Sequence, residues 1–182
     1  MNREQLEAQL VELPLLQYEF FRTEELTFTQ RVRYICETEC PMYNRTWACP
    51  PAVGTVEECR ERVLTYPEGL LISTIAEVND SANIEETLAT RPPHEELTRQ
   101  VRDWMAEQGL EVYVLSTEAC AHCEQCAWPN GPCRFPEHMF PCVESHGILV
   151  TDLAERYGIE FMNGSTIVTW YSLLLYREKA EK

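Results

Sequence analysis

Apolar residues recur along the chain at two spacings, and the alternation between them sets the expected elements. Leu6, Leu10 and Leu13 fall on one face of a helix over Glu4–Leu13, which Pro14 closes. Leu26-Thr27-Phe28-Thr29 alternates as a short strand does. Thr55-Val56-Glu57-Glu58 reads as a capping box, so a helix is expected from Val56 to Tyr66, ending near Pro67. Gly69–Ala76 is an almost unbroken apolar run, the pattern of a strand buried on both faces, and Asn79-Asp80-Ser81 is a turn. A longer helix begins around Pro92-Pro93, with Leu97, Val101, Trp104, Met105 and Gln108 on one face and Gly109 just past its end. Val112–Leu115 is the next strand. Val150–Tyr157 reads as a helix capped by Gly158, Thr166–Tyr176 as a central strand, and Arg177–Lys182 as a charged, frayed end.

Strand, helix and strand joined by short connections suggest a βαβ unit with a right-handed crossover. The fold class expected is therefore α/β (or α+β): a mixed, largely parallel sheet of about four strands with flanking helices. Residues 1–182 are expected to form a single domain, with cysteine-rich insertions at 36–51 and 120–142.

Composition narrows the setting. The chain is 45% hydrophobic and 25% charged, as soluble globular proteins are. It has no apolar run long enough for a membrane span, and its start lacks a basic region followed by an apolar one. A cytoplasmic location is expected. The formal net charge of −15 repels phosphate backbones and argues against nucleic acid as a partner. That acidity serves solubility, and it also suits docking of a basic redox partner protein. The oligomeric state is not readable from the chain.

Nine cysteines in such a chain point to thiols, metal ligation or redox chemistry rather than a disulfide framework. The run Cys120-Ala-His-Cys123-Glu-Gln-Cys126, with Cys133 seven positions on, offers four thiolates from one tight loop. A [4Fe–4S] cluster takes four thiolates at its corners, whereas zinc usually uses two separated knuckles. Pro129, Gly131 and Pro132 turn the chain so that Cys133 can close the site. Trp128 and Phe135 are candidates for a water-excluding wall. Arg134 could supply a nearby positive charge, and His122 is expected to face a sulfur or solvent rather than to ligate.

Cys36-x3-Cys40-Pro41-Met42-Tyr43 and Cys49-Pro50-Pro51 form a second group. Cysteine followed by proline suits cluster ligation, so a second cluster is expected here. Its fourth ligand is open. Cys59, one turn into the following helix, could join, or three thiolates could leave one iron free for a small substrate, with Tyr43, Arg45 and Trp47 as contacts. Cys142 reads as an ordinary half-buried cysteine, with a spare ligand as the other reading. His138 and His146 flank it, but Pro141 spoils a shared helix face. No phosphate-binding glycine loop, nucleophile elbow or H-E-x-x-H is present.

The two motifs resemble those of a prokaryotic family of predicted metal-binding proteins, a cysteine-rich domain of unknown function. The resemblance runs through Cys36-x3-Cys40-Pro41-x-Tyr43, Thr46-Trp47-Ala48-Cys49-Pro50-Pro51, Cys120-x2-Cys123-x2-Cys126 and Gly131-Pro132-Cys133-Arg134-Phe135-Pro136-Glu137. It continues through Glu144-Ser145-His146-Gly147-Ile148 and the strand after Asn163-Gly164. It implies a cysteine-ligated metal, iron–sulfur in kind, on Cys36, Cys40, Cys49, Cys120, Cys123, Cys126 and Cys133. Cys142 departs from it, since relatives are expected to carry serine there. The leading expectation is one [4Fe–4S] cluster and a second site, acting in electron transfer or in small-substrate chemistry as a redox enzyme or lyase. The alternatives are a zinc-stabilised, non-catalytic binding module and a metal chaperone or thiol sensor.

Overall fold

The computed structural model describes residues 2–160 and 163–179. Its helices begin where side chains can take up free amides. The Asn2 side chain caps α1 (Arg3–Leu10), accepting from the Gln5 amide at 3.1 Å, and Thr29 caps α2 (Gln30–Thr38). The capping box opens α3 (Val56–Leu64): Thr55 accepts from the Glu58 amide at 3.1 Å, and the Glu58 carboxylate accepts from the Thr55 amide at 2.7 Å. The short α4 (Ile84–Ala89) leads into α5 (Arg91–Glu107), whose first turn holds Pro92 and Pro93 where no amide is needed. The last helix, α6 (Val150–Tyr157), ends on Gly158 in the left-handed region.

Four strands, β1 (Gln17–Arg22), β2 (Glu68–Glu77), β3 (Leu110–Ser116) and β4 (Ile167–Glu178), form one sheet in the order β1-β2-β4-β3. Every neighbouring pair is antiparallel. The expected largely parallel sheet is therefore wrong. β2 and β3 do run the same way, as a helical crossover requires, but β4 enters between them and pairs with both in the opposite sense. The unit is a split βαβ. Local patterning identifies strands but not the order in which they assemble, and a late strand took the middle place.

Two segments also differ from expectation. Leu26–Thr29 is not a strand: Phe28 makes a lone bridge to Ile148, and the first strand lies earlier, at Gln17–Arg22. The cysteine-rich segment expected at 36–51 begins inside a helix, since Cys36 sits within α2. At the carboxyl end β4 extends through Arg177 and Glu178; residues 180–182, the rest of the expected frayed end, lie outside the described residues.

Alternation along the strands gives each sheet face its own core. One face carries Leu71, Leu115, Leu173 and Leu175, covered by Val63 of α3 and by Val150 and Leu153 of α6. The other carries Leu70, Ile72, Val114 and Leu174, covered by Leu6 and Leu10 of α1 and by Val101 and Met105 of α5. Gly69 leaves room for the Phe21 ring: a Cβ there would lie 2.2 Å from it. Among the described residues no helix is long and apolar enough to cross a membrane.

One polar group is set into the second core. His94 of α5 places Nδ1 2.9 Å from the Thr74 hydroxyl and Nε2 2.9 Å from the Ser172 hydroxyl, while Thr98 donates to Ser172 at 3.0 Å. Burial pushes the imidazole from its ordinary 6.5 down to about 4, opposed by a hydrogen bond to the Tyr171 backbone and assisted by a smaller contribution from Arg91. A depressed histidine favours the neutral folded form. Its contribution is complete above the unfolded value of 6.5 and is lost as pH falls towards 4, by about 3 kcal/mol. Urea unfolding of the protein at pH 7 and at pH 4 should show this loss, and His94→Gln should remove that component. Equal pH dependence in both proteins would contradict it.

Candidate metal centre

Both cysteine groups lie at one end of the sheet, beyond the carboxyl end of β3. Cys120, Cys123, Cys126 and Cys133 all line one enclosed cavity of about 20 Å³. Trp47, Phe135 and Met139 complete its wall with His122, so the surroundings are largely apolar. The Trp128 indole packs edge-on against Trp47 at 4.6 Å instead of lining the cavity. His122 stacks on His138 at 5.0 Å. Arg134 donates to the Gln125 carbonyl, which braces the loop.

The first group gathers around a second, larger cavity of about 270 Å³. Cys36 reaches it from α2, while Cys40, Tyr43 and Cys49 come from the following loop. Cys142, Glu118 and Glu144 come from the far side. Cys59 does not reach this cavity. It is fully buried in α3, where its thiol donates to the Val53 carbonyl at 3.4 Å and lies 3.7 Å from an Arg33 amine. His146 is elsewhere again, 2.8 Å from the Tyr113 hydroxyl. Nothing in the spacing of Cys142 marked it as a neighbour of Cys49, because the contact is tertiary: the Cys142 amide donates to the Ala48 carbonyl at 3.1 Å.

The two cavities adjoin. Trp47 faces the C-terminal group and Cys49, two residues on, faces the N-terminal one. Two indole hydrogen bonds tie the loops together, from Trp47 to the Gly131 carbonyl at 3.0 Å and from Trp128 to the Asn44 side chain at 2.8 Å. Cys120 is close enough to Cys49 to disfavour its ionised form.

All nine cysteines are free thiols. Burial is the first cause that raises the thiols of Cys36 (to about 11), Cys49, Cys120 and Cys142, and neighbouring cysteines and Glu144 add to it at Cys36. Such thiols are neutral until a cation compensates them, so metal uptake would release protons. The buried Thr46 hydroxyl has no hydrogen-bond partner among the described residues, yet it lies beside Cys49 and favours its ionised form. A metal-bound Cys49 sulfur would give this hydroxyl an acceptor. The donor set thus fits a thiolate-bound centre. Among the described residues no three His, Cys, Asp or Glu side chains already stand in the geometry of a bound ion, so the thiols would turn inward on loading.

Two cysteine-lined cavities at one end of a split βαβ sheet present donors of the kind that hold metal. The chain belongs to the DUF2284 family, described as a predicted metal-binding protein, whose model matches residues 19–176. That span includes every cysteine. No curated protein and no solved structure matches the chain.

Proposed function

We propose that this is an iron–sulfur protein of electron transfer, with a [4Fe–4S] cluster on Cys120, Cys123, Cys126 and Cys133 and a second centre on the Cys36, Cys40 and Cys49 thiolates. The observation that carries this reading is the meeting of the two groups through Trp47–Cys49. Adjacent centres can pass an electron, and a bound cluster would supply one-electron chemistry. The chain's own residues do the rest. Trp47, Phe135 and Met139 exclude water from one site, and Thr46 offers a hydroxyl to a sulfur of the other. The net charge of −15 would steer a basic redox partner. Nine free thiols suit a reducing compartment such as the cytoplasm.

A second reading has an observation of its own. The C-terminal cavity, about 20 Å³, has room for a single ion, which favours zinc held by four cysteines in a non-catalytic module. Anaerobic purification followed by iron, sulfide and zinc analysis separates the two. Iron and sulfide in near-equal amounts in a brown protein are expected. Stoichiometric zinc in a colourless protein would replace the first reading by the second.

A further inference from the structure

Three cysteines of the N-terminal site were legible as a motif, and their fourth partner was not. We propose that Cys142 is that partner, giving a closed site of Cys36, Cys40, Cys49 and Cys142. The proposal rests on the reading that this site binds metal. It says which residue completes the site and, by leaving no open position, assigns it to electron relay rather than to binding a small substrate.

The argument is positional. Cys142 lines the same cavity as the other three, and Cys59, the candidate nearest in sequence, does not. Its place is fixed from two sides. The Cys142 amide donates to Ala48, the residue before Cys49, at 3.1 Å. Cys142 also bridges Ser116, the last residue of β3, in parallel register. There the Ser116 amide donates to Pro141 at 2.9 Å and the Val143 amide donates to Ser116 at 2.8 Å. The rigid sheet therefore delivers this sulfur to the loop that carries Cys49. A ligand anchored on a strand end is better placed than one on a mobile loop.

The Cys142 Sγ donates to a Glu144 carboxylate oxygen at 2.8 Å, and Glu144 lines the same cavity, so the sulfur is turned towards the site.

The test uses the full chain, reconstituted anaerobically with ferrous iron and sulfide, and reads bound iron per chain and the paramagnetic resonance of the reduced protein. Cys142→Ala should lose at least one iron per chain and alter the resonance of one of the two centres. Cys59→Ala, an equal truncation of a buried thiol, should match the parent in both. Cys142→Ser, of nearly the same volume, covers the case in which the alanine variant does not fold, and should shift the resonance by putting a hard oxygen in place of sulfur. An unchanged iron count and resonance in either folded Cys142 variant would overturn the proposal. Joint replacement of Cys36, Cys40 and Cys49 by alanine tests the underlying reading separately. If that variant keeps all of the parent's iron, the N-terminal site holds none, and the failure lies there rather than with Cys142.

Discussion

Cys126→Ala should empty the C-terminal site while leaving the sheet folded. Cys126 is one of four thiols around a single cavity, and three thiolates hold a metal far more weakly than four. Even the loss of an outer-shell partner typically costs 10–100-fold in affinity, so a missing ligand should lower occupancy by at least about that factor. Apart from the hydrogen bonds of Trp47, Trp128 and Arg134, the loop has little else to hold it. Within Cys120–Cys133 the backbone makes one hydrogen bond to itself, from the Gly131 amide to the Ala127 carbonyl. Neither apolar core contains any of the four cysteines. The metal would therefore supply the order of this loop and not the stability of the sheet. Metal analysis should show the C-terminal centre gone. Limited proteolysis should cut between Ala119 and Arg134, and the unfolding free energy of the sheet in urea should change by no more than about 0.5 kcal/mol. Retention of full metal content would mean that the site is not built from these thiols. Unfolding of the whole protein would mean that the sheet depends on the centre.

The extent to which the fold could be read beforehand follows from where its information lies. The capping box at Thr55, the apolar face of α5 and the nearly continuous apolar run of β4 are local, and each appears within two or three residues of its expected place. Strand order is not local. The segments of β2 and β3 carried a sound βαβ pattern, yet no residue in either says that β4 will lie between them. β1 was missed because Gln17–Arg22 mixes polar and aromatic residues, with only Phe21 fully buried. The cysteine groups divide in the same way. Regular x2 spacing revealed the C-terminal four. Cys142, by contrast, joins Cys36, Cys40 and Cys49 only through its bridge to β3 and its bond to Ala48. Proximity along the chain favoured Cys59 over it, and the arrangement in space reverses that order.

Arg33 shows how the N-terminal site is held to the body of the protein, and Arg33→Met should cost about 2–4 kcal/mol. The residue is 5% exposed and makes no ion pair with a carboxylate among the described residues. Its guanidinium instead gathers backbone carbonyls. Nε donates to Ser145 at 3.1 Å, Nη2 donates to the same carbonyl, and Nη1 donates to Gly54 at 2.7 Å. One side chain thus ties α2, which carries Cys36 a turn further on, to the approach to α3 and to the turn after Cys142. Methionine fills much of the volume but leaves the buried Ser145 carbonyl without a donor, at about 1–3 kcal/mol, and the half-buried Gly54 carbonyl as well, at less than that. Arg33→Lys should fall between, because an ammonium cannot reproduce the planar fork that reaches two carbonyls at once. Urea unfolding gives the stability change. Metal analysis of the same variants should show the N-terminal centre depleted and the C-terminal one retained, since among the described residues no hydrogen bond of Arg33 reaches the Cys120–Cys133 loop. A methionine variant as stable as the parent would mean that these carbonyls find other donors and that Arg33 is not the tie between α2 and the turn.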